Sequence, residues 1–444
     1  MGVMRHGRLL SVRTDRDILR IAVPSIISNV TVPLLGLVDV AIVGHLGRAA
    51  YIGAIAVGGM VFNVIYWIFG FLRMGTSGMT SQALGGGRHD ETVRMLVRST
   101  VIGMAVAAVL MLLQRPVLYV AMLFMHPGAE VTALASSYFR ICIWGAPAML
   151  GMFALNGWYI GMQNSRIPMI VAIVQNIINI LASVMLVMVA GMKVEGVACG
   201  TLIAQWSGFA LALCLLAWHY GRYVRRHKSF SSLWDSRAMR RFFSVNRDIF
   251  LRTVCLVAVM LSFTAAGAWQ GDIVLAVNTM LMQMYMLFSY IMDGFAYAGE
   301  ALTGKAYGGG NAVSLRLTVR RLFVWGLYMT VLFTLAYAFG GDIFVSLLTD
   351  DVAVAAVAGD YLVWAVALPA AGVAAFIWDG VFIGCTFSRG MLVSCFTAAV
   401  FFFVIFHSLS PLMANHALWL AFIVFLFMRG LVQTVIYKRK IKTL

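Results

Sequence analysis

The stretch Thr80-Ser-Gln-Ala-Leu-Gly-Gly-Gly-Arg88 returns in the second half of the chain as Thr303-Gly-Lys-Ala-Tyr-Gly-Gly-Gly-Asn311. A second stretch, Asn156-Gly-Trp-Tyr-Ile-Gly-Met-Gln-Asn-Ser-Arg166, returns at the same offset as Asp379-Gly-Val-Phe-Ile-Gly-Cys-Thr-Phe-Ser-Arg389. Glycine is common in this chain, so one match would carry little weight, but several matches at one unbroken offset indicate an internal duplication. Because the offset is close to half the chain, we predict two tandem copies of one structural unit.

The composition places these copies in a membrane. Apolar residues make up 62% of the 444 residues and charged residues only 11%, whereas a soluble domain has about half apolar and about a quarter charged residues. A water-soluble fold would have too little polar surface to cover so many apolar side chains. In a bilayer, lipid solvates those side chains and helices satisfy the backbone hydrogen bonds. We therefore predict an all-α polytopic membrane protein.

The apolar segments are numerous enough for twelve transmembrane helices, six in each copy. A bilayer core about 30 Å thick needs roughly 20 apolar residues per helix. We predict spans at 19–44, 51–73, 93–113, 131–159, 168–190, 195–219, 247–267, 273–298, 317–339, 353–379, 389–408 and 417–437. Four prolines inside these spans mark positions where a helix can bend: Pro24, Pro33, Pro147 and Pro369.

Basic residues are distributed unequally between the connectors. If the N-terminus is cytoplasmic, most arginines and lysines outside the spans lie on the cytoplasmic side, and the opposite connectors hold only Arg48, Arg115 and Lys193. The positive-inside rule predicts this asymmetry. The net charge of +16 is therefore explained by topology and does not indicate nucleic-acid binding. We predict that both termini are cytoplasmic.

An even number of spans in each copy means that both copies insert with the same polarity. Tyr138 and Tyr361 keep the offset of the repeat and take equivalent positions. We predict an N-terminal lobe over residues 1–221, a basic cytoplasmic linker over 222–243 and a C-terminal lobe over 244–444. Two lobes related in this way are expected to enclose a central cavity, with substrate and ion sites near the bilayer midplane.

The sequence favours transport driven by an ion gradient. The two Gly-Gly-Gly stretches, 85–87 and 308–310, are not part of a G-x-x-x-x-G-K-[ST] phosphate-binding loop, so ATP-driven transport finds no support. The six cysteines lie in apolar stretches without a C-x-x-C pair, and we interpret them as small hydrophobic side chains. They are Cys142, Cys199, Cys214, Cys255, Cys385 and Cys395. We expect no cofactor other than a coupling ion.

Six motifs resemble the multidrug and toxic compound extrusion family. They are Leu35-Gly-Leu-Val-Asp39, Gly44-His-Leu46, Phe71-Leu-Arg-Met74, Asn246-Arg-Asp-Ile-Phe-Leu-Arg252, Asp293-Gly-Phe-Ala-Tyr-Ala-Gly-Glu-Ala301 and Trp378-Asp-Gly-Val-Phe-Ile-Gly384. The first three are similar to the family's first two helices, and the last three look like its DinF-like branch. The resemblance implies an antiporter that expels amphiphilic, often cationic, compounds in exchange for H⁺ or Na⁺. We expect a monomer in the bacterial inner membrane that binds small drugs and lipid.

Two other functions remain as alternatives. A lipid-linked oligosaccharide flippase of a related fold would favour a more basic cavity for pyrophosphate, and the predicted spans contain few arginines or lysines. A membrane-embedded enzyme would need a paired His-Asp or a cluster of metal ligands, and we find neither pattern in the sequence. Dye efflux with and without a protonophore, and with and without Na⁺, would separate these functions.

Asp39 is the leading candidate for the ion-coupling residue. It lies inside the first span, six residues after Pro33 and between apolar neighbours. A lone carboxylate near the bilayer midplane costs about 2.5–3.5 kcal/mol, which favours the neutral acid. Such a group can take up a proton from one side of the membrane and release it to the other. The resemblance also implies a coupling acid here, and a structural helix–helix hydrogen bond is the alternative role.

Polar residues of spans four to six are candidates for completing the ion-coupling site. Asn176 and Asn179 are three residues apart and share a helix face. Buried amides and hydroxyls can hydrogen-bond a protonated acid or help to coordinate Na⁺ near Asp39. The resemblance implies that the network around the acid includes Tyr138, Asn156, Asn179 and Thr201. The alternative for each is an interhelical hydrogen bond worth about 0.6 kcal/mol.

Ser183 departs from the family pattern. Relatives commonly carry a second acid at this position, whereas the stretch Asn176-Ile-Ile-Asn-Ile-Leu-Ala-Ser183 ends in serine. We therefore expect Asp39 to act without a second carboxylate in the N-terminal lobe.

The second half offers a further candidate site. Asp293 lies deep enough in span eight to be a second ion or substrate group, and its alternative role is a salt bridge with Arg252. Glu300 and Asp379 approach the cytoplasmic ends of their spans, where we expect solvated or helix-capping roles.

Methionine is flexible and polarizable, which suits a cavity that accepts many shapes. Candidates for the wall of a drug cavity are Met282, Tyr285, Met286 and Met292. Packing against lipid or neighbouring helices is their alternative role.

Overall fold

The computed structural model describes residues 2–44, 48–126, 128–227, 233–349 and 351–441, and within these ranges it is helical throughout, without a β-strand. The helices are α1 (Gly2–Gly44), α2 (Ala49–Phe69), α3 (Phe71–Gly85), α4 (His89–Leu112), α5 (Gln114–Met125), α6 (Ala129–Cys142), α7 (Ala146–Gly161), α8 (Arg166–Val184), α9 (Val194–His227), α10 (Ser236–Trp269), α11 (Asp272–Gly308), α12 (Ala312–Leu348), α13 (Val352–Gly384), α14 (Ser388–Met413) and α15 (Asn415–Ile441). A 3₁₀ turn at Ile143–Gly145 joins α6 to α7, and a π-helical turn at Met185–Val189 follows α8.

The predicted all-α polytopic fold is confirmed. Among the described residues, eleven helical segments are long and apolar enough to cross a membrane, and they coincide with the second to twelfth predicted spans. The first predicted span, 19–44, lies within α1, which is continuous through Pro24 and Pro33. The helices are longer than the spans because they continue past the apolar core into polar ends. For example, α10 begins at Ser236, well before its predicted span starts at 247.

Helix α5 was not predicted. Its 12 residues are too few to cross a bilayer, so it is shorter than the apolar length that predicts a span. None of its side chains is buried, and Tyr119, Leu123 and Phe124 are largely exposed. A short helix with exposed aromatic and aliphatic side chains is typical of the membrane interface.

The two sequence repeats adopt the same local structure. Gly87 and Gly310, which are equivalent in the repeat, both have left-handed backbones, with φ of +70° and +66°. Gln163 and Thr386 form a second such pair, with φ of +63° and +53°. Left-handed backbone is uncommon for residues other than glycine. Its recurrence at the offset of the sequence repeat indicates that both turns were inherited from one ancestral unit.

Glycines also pack helices together in the same way in both repeats. A Cβ added to Gly157 on α7 would lie 2.4 Å from the carbonyl oxygen of Arg73 on α3. A Cβ on Gly380 of α13 would lie 2.3 Å from the carbonyl oxygen of Ala296 on α11. Only glycine permits so close an approach of two helix backbones. These glycines therefore fix the α3–α7 and α11–α13 contacts.

The chain divides into two compact units, Ile27–Met239 and a unit formed by Met1–Ile26 with Arg240–Leu444. The observed unit starts later than the predicted N-terminal lobe, residues 1–221, because the first part of α1 contacts the second repeat. It also contains residues 222–239 of the predicted linker. Asp15 accepts hydrogen bonds from Arg321 and Trp325 of α12.

The predicted linker at 222–243 is partly helical. Helix α9 continues to His227 and α10 begins at Ser236, while residues 228–232 lie outside the described residues. His45 and Leu46 of the Gly44-His-Leu46 motif are also outside them.

Candidate functional site

Asp39 is buried in α1, with 5% of its surface exposed. Its Oδ1 atom is fully buried and has no hydrogen-bond partner in the part of the chain that the structure describes. Burial of a carboxyl oxygen without a hydrogen-bond partner disfavours the charged form of the group. This position therefore suits a group that gains and loses a proton.

Two buried side chains of α6, Tyr138 and Cys142, lie within electrostatic range of the Asp39 carboxyl. The Tyr138 hydroxyl also interacts with the side chain of Thr201 on α9. A Cβ on Gly58 of α2 would lie 2.5 Å from the Tyr138 ring, so this glycine makes the space that the ring occupies.

A chain of polar side chains continues from Thr201 to α8. The amide nitrogen of Asn179 donates to the Thr201 hydroxyl at 3.1 Å, and the Ser183 hydroxyl donates to Asn179 Oδ1 at 3.4 Å. Asn179 and Ser183 are fully buried. A Cβ on Gly200 would lie 2.3 Å from Ser183 Oγ. Helices α8 and α9 are thus in close contact around a small side chain at position 183.

The other two polar residues predicted for the ion-coupling site, Asn176 and Asn156, have different surroundings. Asn176 donates to the carbonyl oxygen of Thr31 on α1 at 3.0 Å, so it binds the helix that carries Asp39 through its backbone. Asn156 on α7 has a buried Oδ1 atom without a hydrogen-bond partner among the described residues. The structure therefore brings Tyr138, Asn179, Ser183 and Thr201 together in one hydrogen-bonded chain, and it leaves Asn156 outside that chain.

The second repeat contains a buried ion-pair network that differs from the predicted one. Arg252 on α10 forms its salt bridge with Asp379 on α13, whereas Asp293 was the partner considered from the sequence. Arg429 on α15 donates to Asp379 Oδ2 at 2.6 Å, and Gln433 donates to Asp379 Oδ1 at 2.7 Å. The Asp379 carboxylate of α13 thus binds side chains of both α10 and α15.

The expectation of solvated or capping roles for Asp379 and Glu300 is wrong. Asp379 is 7% exposed and Glu300 is 1% exposed. Both helices extend several residues past the predicted spans, to Gly384 and Gly308, so these acids lie within the helices and not at their ends. Arg429 and Gln433 were not predicted as site residues. Two polar residues four apart within a predicted span were a usable signal, because they share a helix face.

Asp293 is half-buried on α11 and couples electrostatically to Tyr285. Tyr285 and Met292 are buried, and the Tyr285 ring contacts Phe422 at a centroid distance of 5.1 Å. These two side chains pack within the second repeat. Met282 and Met286 are only partly buried and remain candidates for a cavity wall.

The comparisons with known proteins agree with this architecture. The model of the MatE family matches residues 24–185 and 249–409, one match in each repeat. The chain is 36% identical over 431 residues to DNA damage-inducible protein F of Escherichia coli (strain K12), covering 96% of this chain and 92% of that protein. It is 27% identical over 321 residues to a probable multidrug resistance protein NorM of Rhizobium meliloti (strain 1021), covering 68% and 65% of the two chains.

Solved structures show the same fold. The Vibrio cholerae MATE transporter VcmN in its bent form superposes with a TM-score of 0.86 at 16% identity, over 98% of both chains. A MATE structure in the straight conformation gives a TM-score of 0.85 at 18% identity, over 97% of this chain and 96% of the other.

Proposed function

Because the chain belongs to the MatE family, whose relatives are transporters and not enzymes, we propose that it is a secondary active efflux antiporter. It exports amphiphilic, often cationic, compounds in exchange for H⁺ by alternating access. The observation that carries the proposal is the buried Asp39, whose Oδ1 atom lacks a hydrogen-bond partner among the described residues.

The proposed mechanism depends on the charge of the Asp39 carboxyl. When the carboxyl is ionised, its charge attracts a cationic substrate. When it takes up a proton from outside, the attraction is lost and the substrate is released there. Tyr138 lies within electrostatic range of Asp39, and its hydroxyl can donate to the carboxylate or accept from the acid when the two groups approach each other. A ligand moves the transport equilibrium only through its different affinities for the two states, and this change of charge provides that difference.

One observation supports H⁺ over Na⁺ as the coupling ion. Position 183 is a serine bonded to Asn179, so no second carboxylate is supplied there. Na⁺ bound near Asp39 through neutral oxygens is the alternative, and it predicts Na⁺-dependent efflux.

The buried arginines give little support to the alternative function of a lipid-linked oligosaccharide flippase. Arg252 and Arg429 both pair with Asp379, so their charges are engaged within the protein and are less available to a pyrophosphate.

The topology that we propose has both termini in the cytoplasm of a bacterium, with the protein in the inner membrane as a monomer. The excess of arginine and lysine in the connectors on one side supports this orientation. Met282, Met286 and Asp293 are the partly buried residues that we propose for substrate contacts in the second repeat.

Ethidium efflux from cells that express the protein tests the proposal. We expect efflux that stops on addition of a protonophore and is unchanged by removal of Na⁺. The Asp39→Asn variant should express normally and export no ethidium. Efflux that resists the protonophore but needs Na⁺ would contradict H⁺ coupling, and full efflux by Asp39→Asn would contradict the role of Asp39.

A further inference from the structure

Three hydroxyls on one face of α3 differ from the other buried hydroxyls of the protein. Thr76, Ser77 and Thr80 are each 0% exposed, and their side-chain oxygens have no hydrogen-bond partner among the described residues. Elsewhere in the helices, hydroxyls commonly donate to the carbonyl four residues earlier, as Thr253 does to Ile249 and Thr330 does to Gly326. Buried polar groups in proteins nearly always have a hydrogen-bond partner. These three hydroxyls therefore need a partner that the helix backbone does not supply.

The corresponding face of the second repeat is satisfied. Thr303, the counterpart of Thr80 in the repeat, donates to the carbonyl oxygen of Gly299 at 2.6 Å. Gly299 and Glu300 stand where Thr76 and Ser77 stand in the first repeat. The open hydroxyls are therefore a property of the repeat that carries Asp39 and are not required by the shared fold.

Two further unpartnered groups lie on other helices of the same repeat, α2 and α7. The Tyr66 hydroxyl on α2 and Asn156 Oδ1 on α7 are both buried without a partner in the described ranges. The Tyr66 ring stacks on Phe62 at a centroid distance of 5.7 Å, and Phe62 in turn contacts the ring of Tyr138 at 6.5 Å. The Tyr66 ring packs edge-on against Phe153 of α7 at 6.3 Å, and Asn156 follows less than one turn later.

The helix that carries Asn156 also contacts α3 along the face that bears the three hydroxyls. The neighbouring Gly157 contacts α3 at Thr76, and Gly161 contacts it at Thr80, where an added Cβ would lie 3.0 and 2.6 Å from the respective threonine Cβ atoms. Gly86 is exposed and lies six residues after Thr80, a rise of about 9 Å along a helix. In the proposed topology, this end of the repeat is cytoplasmic.

We propose that Tyr66, Asn156, Thr76, Ser77 and Thr80, bridged by water, form the path by which the Asp39 proton leaves toward the cytoplasm. This inference rests on the proposed H⁺-coupled function. A hydroxyl both donates and accepts, so it can pass a proton along a hydrogen-bonded chain, and buried water commonly bridges polar groups that protein atoms leave unsatisfied. In the transfer, the Asp39 acid becomes a carboxylate and one proton is delivered to the cytoplasmic solvent. The path lies within one repeat, so it needs no group from the other.

The test uses the purified protein in proteoliposomes with an imposed pH gradient and tetraphenylphosphonium as the transported cation. The variant Thr76→Val/Ser77→Ala/Thr80→Val removes the three hydroxyls and changes side-chain volume little. We expect its antiport rate to fall by about tenfold or more, with equilibrium binding of tetraphenylphosphonium unchanged. Thr303→Val is the matched control in the second repeat and should transport at the wild-type rate.

A second variant separates proton transfer from packing. Thr76→Ser/Thr80→Ser keeps both hydroxyls but removes both methyl groups, so we expect a rate close to wild type. The inference is overturned if the first variant folds and transports at the wild-type rate, or if the serine variant loses as much rate as the valine variant. Asp39→Asn is measured in the same vesicles. If it remains fully active, the proposed coupling role itself fails, whatever the hydroxyl variants show.

Discussion

Asn156 and Asp379 occupy equivalent positions in the two sequence repeats, but their side-chain oxygens have different surroundings. Asp379 accepts hydrogen bonds from Arg429 and Gln433 at 2.6 and 2.7 Å. Asn156 Oδ1 is buried without a partner among the described residues. In the second repeat this position is therefore part of an ion-pair network. In the first repeat the equivalent side-chain oxygen has no hydrogen-bond partner among the described residues.

The network around Asp379 should be important for stability. Asp379→Asn would leave Arg252 and Arg429 buried without their carboxylate, and removing one partner of a buried ion pair costs roughly 3–5 kcal/mol. We expect a clearly lower thermal unfolding midpoint in detergent. The matched control is Asp39→Asn, which removes a carboxyl whose Oδ1 has no such partner among the described residues and should not destabilise. Equal stability of the two variants would contradict this account.

The close helix contacts at Gly157 and Gly380 should tolerate no side chain. A Cβ at either position would overlap a carbonyl oxygen of the neighbouring helix, and we expect each alanine variant to lose about 1–3 kcal/mol of stability. Gly340→Ala is the control, because a Cβ there meets no atom within 4 Å, and alanine favours a helix by about 0.5–1 kcal/mol. Unfolding in denaturant would measure all three. Similar effects at all three positions would show that the contacts do not matter.

The start of α1 should be held in place by Asp15. Its carboxylate accepts hydrogen bonds from Arg321 at 2.6 Å and from Trp325 at 3.1 Å. Arg321→Gln weakens this contact by removing the charge, and we expect trypsin to cleave after Arg16 about tenfold faster, because a loss of about 1.4 kcal/mol raises local opening tenfold. Arg320→Gln, at an exposed neighbouring position, should leave the cleavage rate unchanged. A rate unaffected by Arg321→Gln would show that α1 is held in another way.

The sequence was sufficient to predict the helices and the repeat because both depend on local patterns. Apolar segments of about 20 residues determine where a chain can cross a bilayer, and a constant offset reveals a duplication without any knowledge of contacts. The left-handed turns at Gly87 and Gly310 follow the repeat for the same reason. Helix α5 could not be found by this route, since it is too short to span.

The partners of individual side chains were harder to predict. The depth of Asp39 in its span was visible in the sequence, and so was the helix face shared by Asn176 and Asn179. The pairing of Arg252 with Asp379 depends on the contact of α10 with α13, which brings together residues 127 positions apart. The assignment of residues before Ile27 to the second unit likewise depends on long-range contacts such as Asp15 with Arg321.

The most direct test of the account is proton release on substrate binding by the purified protein in weakly buffered detergent. Added tetraphenylphosphonium should displace about one proton per cation bound, because binding to one site and protonation of the same carboxyl exclude each other by linkage. The Asp272→Asn variant, at an exposed position at the start of α11, should release protons as the wild type does, and Asp39→Asn should release none. Undiminished proton release by Asp39→Asn would contradict the assignment of Asp39 as the coupling acid.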